Sequence, residues 1–138
     1  MESYNKMKIT RTESFMLQVP IRREIADGMQ STSVLEFVGV NISTDEGITG
    51  TGYTITVGAG GSVIKEVLDS FFVDQLTGKD PFNVKEIWYQ LYYGKSHWIG
   101  RAGAMAAAGT VCVHALADGP TGPSSFPLPS VGGEGSRQ

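Results

Sequence analysis

Between Ile48 and Gly61 the chain reads ITGTGYTITVGAGG, and its hydrophobic rhythm changes there. As far as Val57, β-branched and aromatic residues (Tyr53, Ile55, Val57) alternate with small ones, the period of two expected of a strand. Gly58, Ala59, Gly60 and Gly61 cannot continue that strand comfortably. From Ser62 onward apolar residues recur about every 3.6 positions, the period of a helix. Strands therefore precede this stretch and helices follow it. Tyr53, Thr54 and Thr56 stand at the junction, where a loop can present their hydroxyls to a ligand.

Upstream, the polar start 1–6 is expected to fray. Met7 to Val19 reads as a first strand, with Met7, Ile9, Phe15 and Leu17 on one face, interrupted by Arg11 and Glu13; Pro20 ends it. Ile21 to Thr32 has no clean period and contains a glycine turn, so a long loop is expected there, of the kind that is either functional or a solvated connection. Ser33 to Thr44 is the second strand. Val34, Val38, Val40 and Ile42 take one face, Leu35 and Phe37 the other. Asp45, Glu46 and Gly47 supply a hairpin turn into the third strand, Ile48 to Val57.

Downstream, Val63, Ile64, Val67, Leu68, Phe71 and Phe72 form the buried stripe of a helix over Ser62 to Leu76, closed by Gly78. Asp80 is the expected cap of a second helix with Pro81 at its first position, where a missing N–H costs nothing. Val84, Ile87, Trp88 and Leu91 give its apolar stripe and Gly94 its end. Lys95 to Gly103 reads as a loop, and the alanines of Ala104 to Ala108 start a third helix. Residues 119 to 138 hold four of the chain's six prolines and five glycines, a composition that predicts a disordered tail.

The length of 138 residues suits one domain with a modest core. A net charge of −3 argues against nucleic acid as the main partner, because phosphate binding needs a basic face. The single cysteine, Cys112, excludes an intrachain disulfide and a multi-cysteine zinc site. It suits a reducing compartment, and the start MESYNKMK has no apolar signal segment, so the expected location is cytoplasmic. No apolar run approaches the ~18–20 residues that span a bilayer, so no membrane partner is expected.

Four segments in this order, MKITRTESFMLQVPIRR, STDEGITGTGYTITVGAGG, GKDPFNVKEIW and RAGAMAAAG, resemble the N-terminal capping domain of the enolase superfamily, mandelate racemase/muconate lactonizing branch. The resemblance implies an α+β domain, a three-stranded antiparallel meander followed by a helical bundle, spanning residues 7–108. In such enzymes this domain covers the mouth of a (β/α)₇β barrel, which this chain lacks. Two loops would close over the substrate, here Ile21–Thr32 and the segment from Tyr53 to Gly58. After Gly109 the family pattern of Ile-Asp followed by Trp-Asp gives way to Thr110-Val111-Cys112-Val113-His114-Ala115-Leu116-Ala117-Asp118. Residues 109–138 are therefore expected to be an aberrant tail, from a change of reading frame or a truncated gene.

The family chemistry is proton abstraction beside a carboxylate, with Mg²⁺ stabilising the enediolate and lysine or histidine bases moving the proton. The resemblance places all of those groups on the barrel. No catalytic residue, metal ligand or cofactor is thus expected within this chain, and Mg²⁺ is expected for the parent enzyme. The acidic residues sit in turns and on helix faces, with no spacing that converges several oxygens on one cation. His97 lies beside Trp98 and Arg101 without a placed nucleophile or carboxylate, and Cys112 between valines reads as a small core residue. Gly58 to Gly61 could cradle an anion or serve as the hinge of a lid. Arg22 and Arg23 suit a carboxylate by bidentate pairing, or are solvated loop charges. Tyr53, Thr54 and Thr56 fall where the family carries specificity residues.

The expected function is a substrate-specificity cap of a racemase or acid-sugar dehydratase acting on a carboxylate, inactive without its barrel. Its expected partners are that barrel, another subunit or a second copy of itself. The alternative is a stand-alone small-molecule binding or interaction module built on the same fold.

Overall fold

The computed structural model describes residues 6–119. Three strands, β1 (Ile9–Ala26), β2 (Ser31–Thr44) and β3 (Thr49–Val57), form one antiparallel sheet in the order β1-β2-β3. Helical segments follow: α1 (Gly61–Val67), a π-helical turn (Leu68–Phe72), α2 (Val73–Leu76), α3 (Val84–Tyr93), a 3₁₀ turn (Lys95–Trp98) and α4 (Ala104–Asp118). The α+β meander-then-helices order is the one expected, and the described residues contain no barrel.

The helices cover one face of the sheet. Val38, Val40 and Ile42 alternate along the central strand β2 and are fully buried there. Against them pack Ile64, Leu68, Phe72 and Leu76 from the first helical run, Ile87 and Leu91 from α3, and Met105, Ala108, Val111, Cys112, Ala115 and Leu116 from α4. The α4 residues recur every three or four positions, which puts them on one buried stripe.

Strand β1 differs from its expected form in two ways. It does not end at Pro20 but runs to Ala26, so the expected loop Ile21–Thr32 is instead the far arm of a long hairpin, turning at residues 27–30. An edge strand tolerates proline, because the side lacking a neighbour needs no N–H there. The arm is irregular: between the pairs Pro20↔Val34 and Ile25↔Thr32, β1 advances further than β2, leaving Ile21, Arg22, Arg23 and Glu24 as a wide bulge. A second bulge lies between Ile9↔Thr44 and Arg11↔Ser43. One extra residue reverses the side on which everything after it points. Ile9 therefore shares the core face with Thr12, Ser14, Met16 and Gln18, while Phe15 and Leu17 turn to the other face, and Leu17 is 56% exposed.

The helices show smaller departures. Helical backbone runs from Gly61 to Leu76 but widens to a π turn at Leu68–Phe72, and Val63 faces solvent rather than the stripe. Asp80 does not cap α3. Its Oδ1 accepts the N–H of Phe82 at 3.0 Å and its carbonyl that of Asn83 at 3.1 Å, closing a turn, and α3 begins at Val84.

The third helix does not stop near Gly109. It runs to Asp118 and buries Val111, Cys112, Ala115 and Leu116, so residues 109–118 are part of the domain. Strand β3 is built to receive them. A Cβ at Gly52 would stand 2.1 Å from the Val111 carbonyl oxygen and one at Gly50 2.0 Å from that of Ala115. Only glycine lets the helix backbone lie this close to the strand. The expected disordered tail falls, beyond Gly119, outside the described residues.

Candidate functional site

At one end of the sheet the β1–β2 arm and the β3–α1 loop face each other across an open cleft of about 430 Å³. Residues 25–27 and 30–32 line the arm side, and Val57, Gly58 and Ala59 the loop side. The arm tip is a tight Asx turn. Asp27 Oδ1 accepts the N–H groups of Met29 and Gln30, both at 2.8 Å. These two backbone bonds, Met29 first, hold the Asp27 carboxyl below its usual range. The loop side turns on glycines: Gly58 and Gly60 adopt φ of 84° and 99°, and the Gly58 N–H donates to the Val34 carbonyl at 3.0 Å. Gly58 also lies against Thr32 of the arm, where a Cβ would come within 2.8 Å of Thr32 Oγ1.

Below the cleft sits a carboxylate that the sequence reading did not single out. Glu36 occupies a core-side position of β2 and is 6% exposed. Gln18 of β1 and Thr56 of β3 stand directly opposite it in the sheet register. Gln18 Nε2 donates to Glu36 Oε1 at 3.0 Å; Thr56 Oγ1 and the Gly61 backbone N–H donate to Oε2 at 2.9 and 2.8 Å. The bonds from Gln18, Gly61 and Thr56, in that order, hold the Glu36 carboxyl below its ordinary range, against the opposing effect of burial. The available signal was a lone acidic residue at the parity of Val34, Val38, Val40 and Ile42.

The five residues expected to face a ligand are not brought together. Arg22 and Arg23 are exposed on the wide bulge of the arm, beside the cleft rather than lining it. Tyr53 lies mid-strand on the outer sheet face, 54% exposed, its ring 5.8 Å from that of Phe37. Thr54, opposite Val38, points to the helix side, and Thr56 is engaged with Glu36. Elsewhere, Arg101 Nη2 lies 2.6 Å from His97 Nδ1, and its guanidinium stands 5.1 and 4.5 Å from the ring centroids of Tyr92 and Tyr93. A guanidinium only donates, so Nδ1 accepts. Cys112 is buried, and burial pushes its thiol up to about 12.

Among the described residues no three His, Cys, Asp or Glu side chains are grouped to hold a metal ion, so these residues do not fit a Mg²⁺ site. The cleft offers backbone groups, the Ser31 hydroxyl, a Thr32 hydroxyl already bonded to the Val34 backbone, and a carboxylate committed to its own turn. It can cover or contact a molecule; no nucleophile–base pair lines it. No described helix is long and apolar enough to cross a membrane.

A three-stranded meander, a helical layer on one face and two facing segments at one sheet end define an α+β domain of the meander-then-helices class. The sequence profile of the mandelate racemase/muconate lactonizing enzyme N-terminal domain matches residues 9–118, and the chain belongs to that family. The match includes the helix beyond Gly109. The chain is 28% identical over 101 residues to a 3,6-anhydro-α-L-galactonate cycloisomerase of Streptomyces coelicolor, covering 72% of this chain and 28% of that protein. It is 37% identical over 75 residues to a D-mannonate dehydratase of Caulobacter vibrioides, covering 54% of this chain and 18% of the other. Among solved structures, a Streptomyces coelicolor racemase with bound magnesium superposes with a TM-score of 0.73 at 28% identity, over 78% of this chain and 30% of that one. An L-talarate/galactarate dehydratase of Salmonella typhimurium, at 21% identity, shares the fold with a TM-score of 0.76 over 84% of this chain and 31% of its own. The chain thus spans less than a third of the length of these relatives.

Proposed function

We propose that this chain is the substrate-specificity cap of a Mg²⁺-dependent enzyme acting on a carboxylate substrate, a racemase, cycloisomerase or acid-sugar dehydratase. The observation that carries this is the cleft: the two segments that face a substrate in such caps flank one opening, at one end of the sheet. The relatives' names support the substrate class, since they isomerise or dehydrate sugar acids. Mg²⁺ would supply stabilisation of the enediolate in the parent, and its ligands and the proton-moving bases would lie outside the described residues. The part left to this domain is contact and closure. Arg22 and Arg23, exposed on the bulge beside the cleft, would in this reading pair with the substrate carboxylate. Tyr53, Thr54 and Thr56 act, in this reading, by shaping the strand that carries the loop.

The test is a chimera in which residues 9–118 replace the matching domain of the Streptomyces cycloisomerase. The chain alone with Mg²⁺ should turn over no hydroxy acid or sugar acid. The chimera should bind Mg²⁺ and show altered substrate preference, and R22A/R23A in it should raise KM with little change in kcat. Metal-dependent turnover by the chain alone, surviving repurification, overturns the reading, as does a folded chimera whose kinetics ignore both arginines.

A further inference from the structure

Glu36 joins elements that carry both sides of the cleft. Gln18 lies on β1 just before the arm that forms one wall. Thr56 precedes the loop that forms the other, and Gly61 is the residue on which that loop ends and α1 begins. All three meet on one carboxylate, at 3.0, 2.9 and 2.8 Å, and Glu36 itself is 6% exposed. An ionised carboxylate is acceptor-only on both oxygens, and here every partner is a donor. The approach is also tight. A Cβ on Gly61 would stand 2.8 Å from Glu36 Oε2, so the loop reaches the carboxylate only because residue 61 has no side chain. Removing the carboxylate would leave the buried Gly61 N–H and the half-buried Thr56 hydroxyl without their acceptor, and would free the more exposed Gln18 amide to turn to water.

We infer that Glu36 is a positioning residue that ties the two walls of the cleft together, so that arm and loop form one preformed surface rather than two independently moving lids. The consequence is mechanical. A displacement of the loop strains the Gly61 and Thr56 bonds, and the same carboxylate passes that strain to Gln18 and the arm. The inference deepens the reading of arm and loop as substrate-facing, but it concerns this chain's own fold. It is tested without substrate or barrel, so its failure is separate from the failure of that reading.

The experiment is amide hydrogen exchange on the full chain, wild type against E36A and E36Q. E36A should speed exchange at Gly58 and Gly61, and at arm residues 25–32, by about tenfold or more, while Val38 to Ile42 stay within about twofold of wild type. E36Q should restore protection at both walls. The glutamine oxygen can accept from Thr56 and Gly61 while its amide donates to Gln18, whose own amide turns its oxygen inward. A change at one wall alone, no change, or a folded E36A that loosens evenly across the sheet overturns the inference. If E36A has no cooperative unfolding transition, T56V decides, because it removes one hydroxyl and leaves the carboxylate in place. Faster exchange at both walls in T56V supports the tie, and faster exchange at the loop alone, or nowhere, overturns it.

Discussion

Glu36 holds a negative charge on a strand face otherwise given to Val38, Val40 and Ile42. Its carboxyl is depressed in the folded chain relative to the ordinary value of 4.5, through the bonds from Gln18, Gly61 and Thr56. A depressed folded value means the unfolded chain takes up the proton first as pH falls. The contribution of this group is therefore complete above the unfolded value of 4.5 and is lost as pH falls through the lower folded value. Urea midpoints of wild type should drop from about pH 7 to about pH 3 by more than those of E36Q, because that variant has no charge to lose at this site. Equal drops in the two proteins would show that the carboxylate's charge is not linked to folding. Cys112 carries a second residue-scale expectation. Its thiol is buried and raised to about 12, so almost none is thiolate at neutral pH. A thiol reagent should label it slowly in the native chain and fast in urea; fast native labelling would place it at an accessible surface.

Helix α4 and strand β3 are fitted to one another at the scale of elements. Gly50 and Gly52 remove two side chains where the helix backbone passes, and Val111, Cys112, Ala115 and Leu116 fill the layer beside them. Burial of the two larger side chains alone contributes about 1.5–3 kcal/mol each, against a total stability of about 5–15 kcal/mol for an ordinary domain. A chain ending at Gly109 should consequently be unfolded by circular dichroism, whereas one ending at Gly119 should melt cooperatively. G52A should also destabilise by about 1–3 kcal/mol or more in urea, because neither the strand nor the helix backbone can yield to a Cβ. A folded chain ending at Gly109 would mean that the last turns of α4 are dispensable. These elements also show how far the sequence could be read. The strands and helices and their order were legible, because Val38, Val40 and Ile42 of β2 recur with a period of two and the helices keep a 3, 4 spacing. The extent of β1 was not, because Pro20 reads as a stop and is tolerated only on an edge, which is a property of the sheet and not of the segment. The bulge after Ile9 was equally hidden: both faces of β1 carry mixed residues, so no pattern marks where parity reverses. The end of α4 was masked by the departure from the family pattern after Gly109, although the apolar spacing from Met105 to Leu116 is unbroken. Of the site, Thr56 was legible as a hydroxyl near the loop; its partner Glu36 became visible only once the register aligned three strands.

At the scale of the whole molecule, one face of the sheet has no helical layer among the described residues, and that face is divided. Near the β2–β3 turn its rows are polar: Arg11 pairs with Glu13, Thr51 Oγ1 donates to Asn41 at 2.7 Å, and Ser43 lies 3.1 Å from Thr49. Toward the cleft the rows become apolar, Phe15–Gly39–Tyr53, Leu17–Phe37–Ile55 and Val19–Leu35–Val57. Leu17, Val19, Tyr53, Ile55 and Val57 are between 40% and 59% exposed. A contiguous apolar patch of this kind on a monomer marks a surface that another body covers. Its position beside the cleft fits the proposal that a barrel adjoins this end, since the matched region makes up only 30% and 31% of the length of two such relatives. The isolated chain should accordingly bind a hydrophobic dye and self-associate with rising concentration. Two substitutions separate this face from any other source of dye binding. I55T and V57T both keep a β-branched residue on a strand and lie on the outer face, away from the core, so stability should change by less than about 1 kcal/mol. Dye fluorescence and the associated fraction in sedimentation should fall together in the double variant. A chain that is monomeric and dye-silent before substitution, or a double variant that binds dye as the wild type does, would show that this face is not the one left uncovered.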